Sequence, residues 1–354
     1  DADPLGRAPY TDDFKPRGRS WIMTRPAKSS EQGVALVTVL MIVAAMSTVA
    51  VTLSSTVLST TSRARAIDAA SQADWLALSS EEFGRVLIGE MVAQTEGQLF
   101  AGMPGLDDPV RFTVEGGLIT LSGRDGGNCF NVNQLGGRAA TAETQGAPVQ
   151  QATPQEDYEK LLELADIDAG NRTGLVASLA DWIDADQTPG LNGAEDAFYA
   201  SPGLNYRTSG QPMADISELR AVRYYTPSVY DALKPLLCAM PEAAPIPLNI
   251  NTLEEAHAPL LSLAFSGALS VNDARDLIFQ RPLGGWQSLE SFLAEPAVKE
   301  IAPELRREKM LSTQSAYIAM QAAIDFRGIR RLVDIVYELD GTRPAKTVWR
   351  ERKG

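Results

Sequence analysis

The sequence contains few of the residues from which common catalytic and nucleic-acid-binding sites are built. Among its 354 residues there are two cysteines and one histidine, His257. Zinc sites and histidine-based triads depend on these residue types, so both are disfavoured. Lys and Arg number 32 against 45 Asp and Glu, which leaves a formal net charge of −13. Because binding to the phosphate backbone needs clustered Lys and Arg, this acidic balance argues against a nucleic-acid partner.

Charged residues are absent from Gln32 to Ser62. This stretch begins with a mostly apolar run from Val34 to Val43, and Ser and Thr dilute its second half. About 20 apolar residues suffice to cross a bilayer, and a charge near the centre would cost about 2.5 to 3.5 kcal/mol. We therefore predict a transmembrane or filament-core helix at residues 34–58, joined to an exposed domain.

The orientation of this anchor follows from the basic residues on its two sides. Arg63 and Arg65 come just after the span, whereas six basic residues precede it: Arg7, Lys15, Arg17, Arg19, Arg25 and Lys28. The positive-inside rule then predicts a cytoplasmic N-terminus. If translation started at Met23, only Arg25 and Lys28 would remain before the span, and the two sides would have equal numbers of basic residues.

A processing signal is recognisable before the apolar run. Secretory signal peptides place a small-residue cleavage site after their apolar core, but here the candidate site, Glu31-Gln32-Gly33, lies ahead of it. This arrangement resembles the class III signal of type IV pilins and pseudopilins, in which prepilin peptidase cuts after Gly. The resemblance implies removal of residues 1–33 and a mature start at Val34. The alternative is an ordinary single-span anchor in which Gly33 occurs by chance.

Helical periodicity continues beyond the anchor, which predicts one helix from about residue 34 to 95. Alternating residues around Gly116-Gly117 predict a hairpin at 110–122, and further strands are predicted at 315–326 and 329–339. A long helical region separates these strands. We therefore predict an α+β fold, in which a pilin-like helix packs on a small antiparallel sheet that is interrupted by a large α-helical insertion. The stretch Gly136 to Pro154 has little to bury and predicts a flexible loop.

Two passages of the insertion repeat each other. Asn131–Leu135 and Asn249–Leu253 share the pattern N-x-N-x-L, and Asp215–Leu219 resembles Gln287–Ser291 later in each unit. This order predicts two helical repeat-like units. Similar Asn-rich openings occur in helix-hairpin-helix DNA receptors. However, the Gly-x-Gly hairpin that clamps phosphate in those receptors is missing from the corresponding region, Leu263 to Ala268.

The strongest chemical motif is an acidic segment from Asp181 to Asp196. It contains five carboxylates and no Lys or Arg: Asp181, Asp184, Asp186, Glu195 and Asp196. Such a cluster is repulsive unless a cation relieves it, and calcium takes six to eight oxygen ligands in flexible geometry. Asp184, Asp186, Asn192 and Glu195 match EF-hand positions, but Pro189 stands where an EF-hand needs Gly. A solvated acidic loop and, less favoured, a catalytic carboxylate pair are the alternatives.

Several blocks together resemble the type II secretion minor pseudopilin K family. They are Asn128–Asn131, the segment Asp181–Asp186 with Gly193–Tyr199, Gln211–Arg220, Asn249–Thr252 and Arg281–Trp286. The family also lacks the Glu that most pilins carry at the fifth mature position, which is Thr38 here. The resemblance implies calcium binding and no enzymatic activity. It places Asp184, Asp186, Glu195 and Asp196 as the leading calcium ligands, with Asp181 as a further candidate.

The same resemblance implies a place at the pseudopilus tip with the I- and J-type minor pseudopilins. Prepilin peptidase and the inner-membrane assembly platform are the other implied partners. The domain after the anchor would be periplasmic, where Cys129 and Cys238 can form a disulfide; two separate buried thiols are the alternative. Two other function classes remain open, a membrane-anchored DNA-uptake receptor and a calcium-dependent membrane-tethered hydrolase.

These inferences divide the chain into five parts. The leader occupies residues 1–33 and the anchor residues 34–58. The remaining pilin helix and the first strands occupy 59–135, the insertion with its calcium loop 136–300, and the C-terminal strands and tail 301–354.

Overall fold

The computed structural model describes residues 31–95, 97–106, 108–136, 152–339 and 345–353. The chain divides into two units, Asp1–Arg65 and Ala66–Gly354. The described part of the first unit belongs to helix α1 (Glu31–Gln94), and its residues 33–65 are all exposed. By length and composition this helix can cross a membrane. The predicted leader lies mostly outside the described residues.

Most of the hydroxyl groups that dilute the anchor donate to backbone carbonyls of its own helix. Ser47 donates to the Val43 carbonyl at 2.7 Å, and Thr52 donates to the Val49 carbonyl at 2.8 Å. Side chains of Ser and Thr commonly bond to backbone carbonyls one turn earlier. Because a buried hydroxyl is costly in hydrocarbon only when it lacks a partner, these residues are compatible with a membrane-spanning helix.

The second unit contains a five-stranded antiparallel sheet in the order β1-β2-β7-β8-β9. The strands β1 (Val110–Val114) and β2 (Gly117–Asp125) form the predicted hairpin, and β7 (Tyr317–Phe326) and β8 (Ile329–Glu338) confirm the predicted late strands. Strand β9 (Lys346–Lys353) forms one edge of the sheet. Strand β2 pairs directly with β7, so the two halves of the sheet meet although nearly two hundred residues separate them.

The part of α1 in the second unit packs on this sheet through small residues. Ala69, Ala73 and Ala77 are buried there together with Ile88 and Met91. Gly84 marks the closest approach, since a Cβ added to it would lie 2.6 Å from both the Met320 sulfur and the Tyr337 hydroxyl oxygen. The Tyr337 hydroxyl donates to the Glu81 carbonyl at 2.7 Å. The helix therefore depends on small side chains to reach the sheet.

The insertion has its own buried core, which extends from Phe130 to Leu311 and is wider than the predicted limits of 136 and 300. Its helices are mostly short and several begin at a Ser, Thr or Asp that accepts a backbone hydrogen bond, as expected of N-caps. They are α2 (Pro154–Leu164), α3 (Ala169–Ile183), α4 (Asp196–Tyr199), α5 (Pro227–Leu233), α6 (Ala258–Leu263), α7 (Val271–Phe279), α8 (Leu289–Leu293) and α9 (Pro296–Lys299). Residues 137–151 of the predicted flexible loop lie outside the described residues.

The two repeat-like units predicted from the Asn motifs share two structural features, a short ladder and an Asn contact. Each contains a two-residue parallel ladder, β3 (Phe130–Asn131) with β4 (Leu237–Cys238), and β5 (Leu248–Asn249) with β6 (Leu311–Ser312). In the first unit, Asn133 bonds both the N–H and the carbonyl of Met213. In the second unit, Asn251 bonds both backbone groups of Trp286 in the same way. The second Asn of each motif therefore fastens a distant loop to its ladder.

Candidate metal centre

The acidic segment joins the end of α3 to the start of α4. Asp181 is in the last turn of α3, Asp184 is its C-cap residue, and Glu195 is the N-cap residue of α4. One carboxylate oxygen from each of these three residues lies within 4.8 Å of the others. The fold therefore brings together three of the five carboxylates predicted to bind calcium.

Glu195 is the most unusual member of this group. Its side chain is 3% exposed, and neither carboxylate oxygen has a hydrogen-bond partner among the described residues. Burial and, to a smaller extent, the charges of Asp181, Asp184, Asp186 and Asp196 together raise its pKa to about 7. A buried carboxylate without a partner destabilises the folded protein. A cation that prefers oxygen ligands would compensate the charge of this side chain.

Asp184 resembles Glu195 in having one buried oxygen without a hydrogen-bond partner in the described part of the chain. Burial raises its pKa, and the charges of Asp186 and Asp181 add to the effect. Two members of the group thus have buried oxygens without hydrogen-bond partners, as expected of carboxylates that bind a cation.

Asp181 holds the loop together. It is 4% exposed, and its Oδ2 atom accepts a hydrogen bond of 2.7 Å from the Ala194 N–H. The Gly190 N–H lies 3.1 Å from its Oδ1 atom. Burial raises the pKa of Asp181, whereas these backbone hydrogen bonds lower it. Asp181 therefore closes the loop and can also contribute an oxygen to the cation.

Asp186 and Asp196 lie outside the group of three. Asp186 is exposed, and its Oδ1 atom accepts from the Thr188 N–H at 2.8 Å. Asp196 accepts from the Thr208 N–H at 2.9 Å and from the Thr208 hydroxyl at 3.0 Å. Both side chains thus accept hydrogen bonds within the surrounding loops, and their role as ligands stays a prediction.

The donor set fits calcium. It consists of carboxylate oxygens without His or Cys, and hard oxygen donors favour Ca²⁺ or Mg²⁺ over zinc. Three carboxylates leave several positions of a six- to eight-coordinate ion to backbone carbonyls or water. Calcium takes such mixed oxygen ligands in flexible geometry, whereas magnesium requires a near-ideal octahedron. Asp184, Glu195 and Asp181 would hold the ion.

Arg223 also reaches this loop, although no sequence pattern predicted it. Its Nη1 atom donates to the Gly193 carbonyl at 3.2 Å. Arg223 lies beyond the acidic segment in the chain, and no sequence pattern connects it to the loop.

The two cysteines form the disulfide that the family resemblance implied. Cys129 and Cys238 are joined with a Cα–Cα distance of 5.7 Å. The bond lies at the ladder of β3 and β4, because Asn131 and Cys238 are paired residues of that ladder. It therefore fastens the start of the first repeat-like unit to its end.

Comparisons with known proteins agree with these features. Two family models, both described as type II secretion system (T2SS), protein K, match residues 128–242 and 248–314. These ranges begin just before the two Asn motifs and so follow the two repeat-like units. Type II secretion system protein K of Pectobacterium carotovorum subsp. carotovorum is 36% identical over 263 residues, which cover 74% of this chain and 79% of that protein. The Klebsiella pneumoniae protein of the same name is 32% identical over 248 residues, covering 70% and 74%.

A solved structure supports the same relationship. It is the GspK-GspI-GspJ complex from the type 2 secretion system of enterotoxigenic Escherichia coli, and the similarity has a TM-score of 0.68 at 26% identity. The match covers 82% of this chain and 99% of the other. The two chains therefore share an α+β fold over the matched part. By sequence and fold, the chain belongs to the type II secretion system protein K family.

Proposed function

We propose that this minor pseudopilin acts at the tip of the pseudopilus, together with I- and J-type minor pseudopilins, and helps to initiate pseudopilus assembly and protein export. Its role is assembly rather than catalysis. The observation that carries this proposal is an exposed apolar stripe on α1 within the second unit. Ile67, Trp75, Leu78 and Val86 recur there at helical spacing, and Trp75 is 67% exposed.

The stripe suits a helical partner. A soluble domain rarely exposes several large apolar side chains along one helix unless another surface covers them. The sheet already buries the opposite, alanine-rich side of this helix. The complex of the similar Escherichia coli protein contains I and J components. Long helices of such components, packed along the stripe, would bury it as helix pairs do in a bundle.

Position at the tip is supported by Thr38. Most pilins use a Glu at this place to pair with the N-terminal amine of a neighbouring subunit, whereas the Thr38 hydroxyl bonds the Ala35 carbonyl of its own helix at 2.9 Å. An uncharged residue here has no carboxylate to offer to a subunit ahead. A subunit at the very end of the filament does not need one.

Calcium is the second part of the proposal. The ion would bind at Asp184, Glu195 and Asp181 and would neutralise the charge that Glu195 otherwise buries without a partner. When bound, it would supply charge compensation and cross-linking of the loop between α3 and α4. The first repeat-like unit would then be ordered in the presence of calcium and looser in its absence.

The disulfide supports a periplasmic location for the second unit, because such bonds persist in oxidising compartments. The anchor would then have its N-terminus in the cytoplasm. Prepilin peptidase would cut between Gly33 and Val34 on that side, and the inner-membrane assembly platform would take up the mature protein.

The experiment that tests this proposal measures the N-terminal sequence and the mass of the protein from cells with and without prepilin peptidase. A mature start at Val34 that requires the peptidase would support processing as a pseudopilin. A Gly33→Asp variant serves as the control and should remain uncleaved. If the wild-type protein keeps the residues that precede Val34 in both strains, the pseudopilin assignment of this segment is wrong.

A further inference from the structure

Arg223 contacts the proposed calcium loop from outside the carboxylate group. It lies between the 3-10 turn Ile216–Ala221 and helix α5, and it is half-buried. Its guanidinium carbon lies 4.4 Å from the ring centroid of Phe198 and 4.6 Å from that of Tyr224. Stacking of a cation on aromatic faces restricts its orientation. The Nη1 atom is thereby directed at the Gly193 carbonyl.

The peptide that Arg223 holds is the one that places Glu195. A Cβ added to Gly193 would lie 1.9 Å from the Asp181 Oδ2 atom, so the backbone passes directly against that carboxylate. The next residue, Ala194, donates its N–H to the same oxygen. Glu195 then follows with its two unsatisfied oxygens. A shift of the Gly193 peptide would therefore move Glu195 relative to Asp181.

One of the aromatic residues that pack against Arg223 has a strained backbone conformation. Tyr224 has a φ of 71°, a left-handed conformation that is rare for an aromatic residue and strains the backbone. Its ring packs over Gly174 in α3, where an added Cβ would lie 2.8 Å from the ring. The Arg223 N–H also donates to the Tyr199 hydroxyl at 3.1 Å. These contacts tie Arg223 to both helices that flank the metal loop.

We infer that Arg223 is a positioning residue for the metal site, which holds the Gly193–Glu195 backbone where Glu195 can share a cation with Asp181 and Asp184. This inference rests on the calcium site proposed above. It also predicts a change in calcium affinity opposite in direction to the change expected from charge alone. A positive charge beside a cation site opposes cation binding by simple electrostatics, so removal of a bystander arginine should strengthen calcium binding. Removal of a positioning arginine should weaken it.

The test measures calcium binding by titration calorimetry on the full-length, detergent-solubilised protein and compares Arg223→Ala, Arg223→Lys and Arg220→Ala. Arg220 is an exposed arginine on the same 3-10 turn, so its removal changes the net charge equally without touching the loop. Lysine at position 223 keeps the charge but lacks the planar group that stacks and donates in a fixed direction. Thermal melts in EDTA show whether each variant is folded before calcium is added.

We expect both substitutions at 223 to raise the dissociation constant for calcium by about 10- to 100-fold, the range typical for residues that orient metal ligands. The Arg220→Ala variant should change it by less than about twofold, since exposed charges interact weakly. Unchanged or tighter binding by a folded Arg223→Ala variant would overturn the inference while leaving the calcium site intact. If the wild-type protein itself binds no calcium, the metal site is wrong and this inference is wrong with it.

Discussion

Glu195 and Asp184 come from opposite ends of the acidic loop, yet the fold places their carboxylate oxygens within 4.8 Å of each other and of Asp181. Both have buried oxygens without a hydrogen-bond partner in the described residues. Like charges at such a distance destabilise the metal-free protein. The stability of this region should therefore depend strongly on calcium and on pH.

Replacement of Glu195 by Gln should have opposite effects on calcium binding and on metal-free stability. The variant's calcium affinity should fall by more than the roughly 10- to 100-fold that is typical when a residue that only orients the ligands is replaced. The reason is that the charge of a direct ligand is removed. In EDTA at pH 8 the variant should melt at a higher temperature than wild type, because no unpaired buried charge remains. Glu304→Gln, at an exposed carboxylate, is the control and should show neither change. A lower melting temperature for Glu195→Gln in EDTA would contradict this account.

The metal-free protein should lose stability as pH rises from about 4.5 to above 7. The pKa of Glu195 is raised to about 7 in the folded state from an ordinary 4.5, so the folded state binds more protons than the unfolded state across that interval. The raised pKa values of Asp181 and Asp184 act in the same direction. Melting temperatures measured against pH in EDTA should fall through this window. Saturating calcium should make the melting temperature nearly independent of pH in this window. If the melting temperature still falls steeply with pH both in calcium and in the Glu195→Gln variant, groups other than Glu195 cause the pH dependence.

Two glycines of α1 provide a matched test of how the helix packs on the sheet. Alanine at Gly84 would collide with Met320 and Tyr337, whereas nothing lies within 4 Å of a Cβ at Gly89. Gly84→Ala should destabilise the protein by about 1 to 3 kcal/mol through overpacking. Gly89→Ala should stabilise it by up to about 1 kcal/mol, since alanine favours a helix. Urea unfolding of the two variants measures both values, and equal effects would mean that Gly84 is not at the contact.

Trp75 should contribute to partner association without contributing to folding. Because its side chain is 67% exposed, Trp75→Glu should leave the melting temperature nearly unchanged. A charge in the middle of a buried helix interface should reduce co-purification with the I- and J-type minor pseudopilins at least tenfold. Leu283→Glu, at a fully exposed leucine of the insertion, is the matched control. Loss of association in both variants would argue against a specific role for the stripe.

Removal of the disulfide should loosen the insertion. The bridge closes a loop of 109 residues, and loss of a native disulfide typically costs about 2 to 5 kcal/mol. The double variant Cys129→Ala with Cys238→Ala should therefore unfold at a lower urea concentration. The single variants would add a free thiol and are less informative. An unchanged midpoint would mean that the ladder of β3 and β4 is held by its other contacts alone.

Local patterns predicted much of this molecule. The charge-free stretch predicts the anchor helix, and alternation around Gly116-Gly117 predicts the hairpin of β1 and β2, since both features depend on neighbours along the chain. The repeated N-x-N-x-L motif predicts two similar units, and Asn133 and Asn251 do make equivalent bonds. Strand β9 was not predicted, and its residues were assigned to the C-terminal tail, because an edge strand is specified by the neighbour that it pairs with.

The sequence by itself determined that carboxylates crowd between Asp181 and Asp196, because their number and the absence of Lys and Arg are composition. Tertiary structure alone decided that Glu195 is buried without a partner, that Asp196 turns to Thr208, and that Arg223 reaches Gly193. The reason is physical. Burial and the direction of a side chain depend on what packs against it from distant parts of the chain, and residue spacing along a loop does not contain that information.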